Sequence, residues 1–480
     1  MTDARTGHTT PLPSTSAAPE SRRWLALACI SVAQLMVALD ATVINIALPS
    51  AQHALGISDP QRQWVVTAYT LAFGGLLILG GRVADTIGRR RAFLAGLAGF
   101  ALASLAGGAA PDFAALVAAR AVQGACAALL APTALSLLAV TFTAPRERAK
   151  AFAVFGAIAG MGGALGLLLG GVLTEYLQWR WCLYINVPIA IGALVASVRL
   201  LPAIPVQRHG RFDLPGVVLV VAGLVAVVYG LSSAGSRGWS APLTATTLAA
   251  GVALLVVFLL TESRTPAPLL PMLILADRNR GGAYAAIGLA VVALYGLFLL
   301  LTYDFQVVLH YSPVRAGLAF LPMSAAVLAS STTVSQALLP KVPPRMLMTP
   351  GLLLGAAGMA TLTLLQPGAS YPLHVLPAEL LLGLGMGAVF VPAFSTATLG
   401  VGQRDAGVAS AVAGTSQQIG ASVGTALLNT LAAAATTGYV AAHGGAVTAA
   451  ALVHGYAVAA GWAAVILAGA AVLVGVLVTA

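Results

Sequence analysis

The sequence predicts an all-α integral membrane protein built from fourteen transmembrane helices. Three observations predict it. Hydrophobic residues make up 59% of the chain and charged residues only 8%, whereas a soluble chain carries about 25% charged residues. The apolar residues fall into fourteen runs close to the ~20 residues needed to cross a bilayer. The basic residues gather in alternate connections between those runs, which is how membrane chains set their orientation.

The runs cover 24–49, 62–81, 92–110, 113–140, 151–174, 182–201, 214–234, 241–261, 282–303, 315–338, 346–366, 372–399, 406–434 and 456–479. Residues 1–21 are rich in Ser, Thr and Pro and read as a disordered cytoplasmic N-terminus. The first run exceeds the 7–15-residue core of a signal peptide, so it is expected to persist as helix 1. With the N-terminus inside, 19 of the 24 Lys and Arg residues fall in inside segments, and only Arg62, Arg180, Arg237 and Arg315 fall outside. Arg120 alone lies deep within a span, away from either end. Both termini are therefore expected in the cytoplasm, in a multi-pass protein of the inner (plasma) membrane. Trp24, Trp64, Trp179, Trp181 and Trp239 sit at span ends, where amphipathic rings belong.

A net charge of +10 and a pI of 9.9 would suggest nucleic acid in a soluble protein. Here the basic residues lie in short connections and serve the bilayer, so no nucleic-acid partner is expected. The only lysines, Lys150 and Lys341, follow Ala and Pro, so no G-x-x-x-x-G-K-[ST] loop exists to bind ATP. Glycine clusters at 160–163 and 383–387 lie inside apolar helices and read as close packing. Cys29, Cys126 and Cys182 have no metal or redox spacing, and the seven histidines lie in connections, termini or near a helix end. No metal, cofactor or enzymatic constellation is expected.

A faint repeat divides the chain. A short polar connection precedes a helix of small residues twice, with Gly162, Gly166 and Gly170 in span 5 and Gly420 and Gly424 in span 13. If these correspond, residues 22–201 and 281–480 are two six-helix bundles, and 202–280 holds two inserted helices and linkers. Repeats of this kind build secondary transporters, with the site at their interface.

Several polar residues need a reason to lie in apolar spans. Asp40, in "LMVALDATVINIALP", sits midway along span 1, where an aspartate costs about 2.5–3.5 kcal/mol on insertion scales. A carboxylate there can bind and release protons as its surroundings open and close, or serve as a fixed interhelical acceptor. Arg120 and Gln123, one turn apart in span 4, could bias such a carboxylate or pair structurally. "GRVADTIGRRR" at 81–91 is expected to be a gating loop in which Asp85 pairs with an arginine or a helix N-terminus; Gly81, Arg82, Gly88, Arg89 and Arg90 complete it. Asp304 could be a solvated helix end, an acidic contact for a cationic substrate or a second proton site, and Glu379 is weighed in the same way. Thr415, Gln418, Ser422, Thr425 and Asn429 recur at spacings of three and four and form one polar face of span 13, either lining a water-filled cavity or bonding between helices. Asn45 and Gln306 are further cavity candidates.

The 81–91 stretch resembles the G-x-L-a-D-r-x-G-r-[rk] signature of the major facilitator superfamily, with Gly81, Ala84, Asp85, Gly88, Arg89 and Arg90 matching, Val83 standing for Leu and Thr86 for a basic residue. "LDATVINIALP", "RAVQGACAAL" at 120–129, "WRWCLYINVP" at 179–188 and "SPVRAGLAFLP" at 312–322 resemble its fourteen-helix drug:proton antiporter branch. One departure is Leu167, in "GALGLLLGG", where that branch places a proline. The resemblance covers roughly residues 24–430. It implies the major facilitator fold, proton-coupled export of lipophilic drugs, dyes or antibiotics, cationic ones among them, and a role for Arg120 with Asp40 in proton transfer. A dedicated exporter of one endogenous metabolite or self-made antibiotic is the alternative, ahead of a nutrient importer.

Overall fold

The computed structural model describes residues 20–142, 144–201, 213–265, 268, 272–399, 401 and 406–479. Residues 1–19, most of the segment expected to be disordered, lie outside the described residues. Fourteen long helices follow in order: α1 (Glu20–Leu55), α2 (Trp64–Ile87), α3 (Arg89–Gly108), α4 (Phe113–Thr141), α5 (Pro145–Tyr176), α6 (Trp181–Leu200), α7 (Leu214–Arg237) and α8 (Pro242–Glu262). Then come α9 (Arg278–Val308), α10 (Pro313–Leu338), α11 (Pro344–Leu364), α12 (Tyr371–Thr398), α13 (Ala406–Ala442) and α14 (Ala449–Leu477).

Thirteen of these are long and apolar enough to cross a membrane; α5, the other, is 32 residues long with an apolar stretch at Met161–Tyr176. Helices are the form such runs must take, because lipid offers no partner to an unbonded backbone N–H or C=O. Several starts are fixed by side chains. Asp112, Asp213, Asp277, Ser312 and Thr448 each accept a bond from the backbone N–H three residues on, at the heads of α4, α7, α9, α10 and α14, which satisfies one of the exposed donors of a helix start.

One expectation is corrected. The gating loop expected over 81–91 is mostly helix: α2 continues through Gly81, Arg82 and Asp85 to Ile87, and α3 begins at Arg89. No residue between 82 and 87 breaks a helix, so the connection shrinks to Gly88. Its φ of 94° is open to glycine and strained for other residues, which makes this a connection of one residue.

Packing falls into two six-helix groups. In the first, α1 packs on α4, α5 and α6, α2 and α3 pack on α4, and α3 packs on α6. In the second, α9 packs on α12, α13 and α14, α10 and α11 pack on α12, and α11 packs on α14. Adding eight to each helix number converts one set into the other. The two groups meet along two seams related the same way, α5 with α10 and α13 with α2. The inserted α7 and α8 pack on each other, and α7 lies over the α2–α13 seam, where Leu71, Leu224, Val228 and Ala426 form a small buried cluster.

Glycines let backbones touch at these crossings. A Cβ on Gly170 would lie 2.6 Å from the Val43 carbonyl on α1, and one on Gly424 would strike Val292 on α9. At the α5–α10 seam, a Cβ on Gly317 would lie 2.6 Å from the Leu167 carbonyl and one on Gly171 would lie 2.6 Å from that of Pro313. Leu167, at the position where a proline was expected, is therefore a buried seam residue in an unbroken helix.

Gly80 on α2 has the Ala128 carbonyl of α4 where its Cβ would go, while Gly163 has nothing within 4 Å. Gly80→Ala must separate two helices and should lower unfolding stability by about 1–3 kcal/mol, the usual cost of overpacking. Gly163→Ala should be neutral or stabilising by up to about 1 kcal/mol. Thermal unfolding of the purified variants in detergent checks both.

Candidate functional site

Five helices of the first group converge on Asp40. From α4, Arg120 places Nη1 2.6 Å from Oδ2 of Asp40. Gln123, one turn further along, donates Nε2 to Oδ1 at 3.1 Å, and Asn186 of α6 donates Nδ2 to the same oxygen at 2.7 Å. The arginine is itself held: Nε donates to the Val65 carbonyl of α2 at 3.0 Å, and Nη1 also donates to Oε1 of Gln123 at 3.0 Å. Its guanidinium carbon lies 4.4 Å from the ring centre of Tyr69, an added cation–π attraction. Gln123 completes the set by donating Nε2 to Ser104 of α3 at 2.8 Å.

Asp40, Arg120, Gln123, Asn186, Ser104 and Tyr69 are all 0% exposed. Three N–H donors point at Asp40, which is the pattern of an ionised carboxylate. Arg120 Nη2 and Asn186 Oδ1 are buried without a partner, so the cluster has hydrogen-bonding capacity left over. Besides Asp40, the Arg120 guanidinium has acceptors at Val65 and Gln123.

The other expected site residues lie elsewhere. Asn45 is 3% exposed with its Nδ2 unpartnered. The polar face of α13 lies in the α2–α13 seam. There Thr415 donates to the Gly74 carbonyl at 3.2 Å, Ser422 and Thr70 hydroxyls are 2.7 Å apart, and Asn429 accepts from Nε of Arg62 at 3.0 Å. Gln418 packs against Gly74 in the same seam. Gln306 donates to the Ile46 carbonyl at 2.9 Å, joining α9 to α1. Asp304 lies in a π-helical turn, Asp304–Val308, at the end of α9 and is 4% exposed; Glu379 is buried near the start of α12. Around Gly88, Arg82 donates to the Pro268 carbonyl and Arg90 to that of Val198, Arg89 begins α3 and Gly81 packs toward Pro132. The Asp85 side chain lies outside the described residues.

Sequence reasoning left out Asn186, although it carries the same signal as Asp40, a strongly polar side chain inside an apolar run. It counted Arg62 only as an outside charge at the head of span 2. The structure buries Arg62 to 7% exposure, between Asn429, Asp59 and the ring of Tyr303, whose centre is 3.8 Å away. Tyr303 in turn bonds Gln52, and Val314 donates to Glu175 at 2.8 Å. These contacts tie the two groups together at the end where α1 joins α2.

Removing one member of a buried pair leaves an uncompensated charge, which costs about 3–5 kcal/mol. Asp40→Asn and Arg120→Gln should each destabilise the protein on that scale. The double variant should recover most of the loss, because two neutral amides replace two charges. Chemical or thermal unfolding of the four proteins closes the cycle.

Comparison with known proteins agrees with this architecture. The chain is 53% identical to the puromycin resistance protein of Streptomyces alboniger over 467 residues, covering 96% of this chain and 92% of that one. It is 42% identical to the cephamycin export protein of Amycolatopsis lactamdurans, covering 86% and 85%, and 33% identical to the tetracenomycin C resistance and export protein of Streptomyces glaucescens, covering 86% and 76%. Among solved structures, a bacterial homologue of the human lysosomal transporter Spinster, in an inward-facing conformation, superimposes with a TM-score of 0.69 at 15% identity, covering 96% of this chain and 98% of that one. The model of the Major Facilitator Superfamily matches residues 30–425. The chain is a multi-pass membrane transporter of small molecules and belongs to the major facilitator superfamily.

Proposed function

We propose that this transporter exports small lipophilic molecules of the antibiotic kind in exchange for protons. The observation that carries the reading is the buried Asp40–Arg120 pair, held by Gln123 and Asn186 with no water-exposed atom in the cluster. A titratable pair so placed is expensive inside a membrane and marks a proton or substrate path by default. The relatives named for puromycin, cephamycin and tetracenomycin support an antibiotic as cargo.

In this reading the excess of basic residues in alternate connections puts both termini in the cytoplasm of a plasma membrane. Residues 22–201 and 281–480 are the two moving bundles, and 202–280 carries the inserted pair. The end closed by Arg62, Tyr303 and Asn429 is then the outer end, so cargo enters from the cytoplasmic side. Arrival of a proton on Asp40 neutralises it and releases Arg120, which loosens α4 from α1 and lets the bundles rock. At the inner end, Asp85 and the arginines around the Gly88 hinge hold the opposite state. Asp304, buried at the outer end of α9, is the contact for a positive charge on the cargo where it has one.

The energetics suffice. A potential of 100 mV supplies about 2.3 kcal/mol per charge. At 1.4 kcal/mol per tenfold, one net charge per cycle sustains a cargo gradient of roughly fifty-fold. A second reading, a dedicated exporter of one self-made antibiotic, is favoured by relatives each named for a single compound. An export panel of dyes and antibiotics separates the two, since one compound transported alone selects the second.

The test of coupling is purified protein in liposomes with an imposed pH gradient. Asp40→Asn, and the more stable Asp40→Asn/Arg120→Gln pair, should bind cargo yet move none of it uphill, a loss of at least tenfold against the wild type. Uphill, protonophore-sensitive transport at wild-type rates in these variants would refute the proposal.

A further inference from the structure

Glu379 lies about two turns into α12, fully buried. Its Oε2 is 3.0 Å from the hydroxyl oxygen of Tyr371, and that hydroxyl is 2.7 Å from the carbonyl oxygen of Ala319 on α10. A phenol has one proton, and a carbonyl oxygen can only accept. The nearer acceptor, Ala319, takes the Tyr371 proton. The contact between Tyr371 and Glu379 then needs a proton from the carboxyl group. Oε1 of Glu379 is buried with no hydrogen-bond partner, a state that suits the carbonyl oxygen of a neutral acid and is costly for half of a carboxylate.

The surroundings offer no counter-charge. Among the described residues no cation forms an ion pair with Glu379. On α12, His374 is exposed and its Nδ1 lies against the Ser370 carbonyl. On α10, the single charged residue is Arg315, exposed and stacked at 3.8 Å over Tyr311. On α9, Asp304 precedes Phe305, whose ring lies between Tyr311 at 5.7 Å and Tyr371 at 5.9 Å; Arg278 and Arg280 are at the far end. Helix α11 has only Arg345, at its opposite end, and α13 has no Asp, Glu, Lys or Arg. The chain is also irregular here: α12 opens with a π-helical turn, Tyr371–Val375, and α10 breaks at Phe320 beside Pro322. Such π turns often mark functional positions.

We infer that Glu379 is a second proton-binding site, holding its proton as a neutral carboxylic acid against Tyr371 and Ala319 while Asp40 in the other bundle is ionised. The two acids stand in opposite protonation states in one conformation, so they load and unload out of phase, and each cycle moves a proton through each bundle. The transport part rests on the proton-exchange reading above; the protonation state of Glu379 does not.

Infrared spectroscopy of the purified wild type near neutral pH should show the carbonyl stretch of a protonated carboxyl group. That band should vanish in Glu379→Gln and shift in Tyr371→Phe, which loses the phenol but keeps the acid. A band unchanged in both variants, or none in the wild type, overturns the inference without bearing on export. Glu379→Gln imitates the neutral acid in size and in its donor, so it should melt like the wild type. Where it does not, the Tyr371→Phe shift decides. In liposomes, Glu379→Gln should still move cargo uphill through Asp40 but with one proton fewer per molecule. An unchanged ratio, or a loss confined to cationic cargo, makes Glu379 something other than a proton carrier.

Discussion

Everything in the first bundle is arranged around one charge pair that the bilayer cannot solvate. Asp40 and Arg120 are both wholly buried, so each must find its partners within the protein. The helices that supply them are fixed as a consequence. Arg120 and Gln123 set the rotation of α4 against α1, Asn186 sets that of α6, and the Val65 carbonyl and Tyr69 ring set that of α2. The same constraint makes the pair a unit. Loss of either partner strands the other's charge, at a cost of about 3–5 kcal/mol, so these helices are held by both groups together or by neither.

Much of the fold was legible in the sequence. The fourteen runs became fourteen helices because lipid allows a long apolar segment no other form. The pairing of spans 5 and 13 through their glycines reappears as α5 on α1 and α13 on α9. What was less legible depended on three-dimensional neighbours. Gly88 looked like one of several glycines in a loop, but only its backbone departs from the helix, because nothing in Arg82–Ile87 resists helix formation. Arg62 counted only toward orientation in the sequence, yet Tyr303 and Asn429, hundreds of residues away, bury it. Asn186 was visible as a polar residue in an apolar motif, but its role required knowing that α6 lies beside α1. The α13 stripe was readable as a face, and the structure supplies what the face meets: the backbone and hydroxyls of α2.

The two bundles also differ instructively. The first places Asp40 among nitrogen donors, and the second places Glu379 beside a phenol that bonds a carbonyl. The helix plan repeats with an offset of eight, but the polar interiors do not, so duplication of a scaffold has left room for two chemistries.

The position of α7 makes the two flanks of the molecule unlike. Its side chains close over the α2–α13 seam, with Thr430 donating to the Leu231 carbonyl at 3.0 Å. Among the described residues no inserted helix packs across the related seam between α5 and α10, which Gly171 and Gly317 close by backbone contact instead. A protein whose helix plan repeats as a near-twin therefore acquires a front and a back.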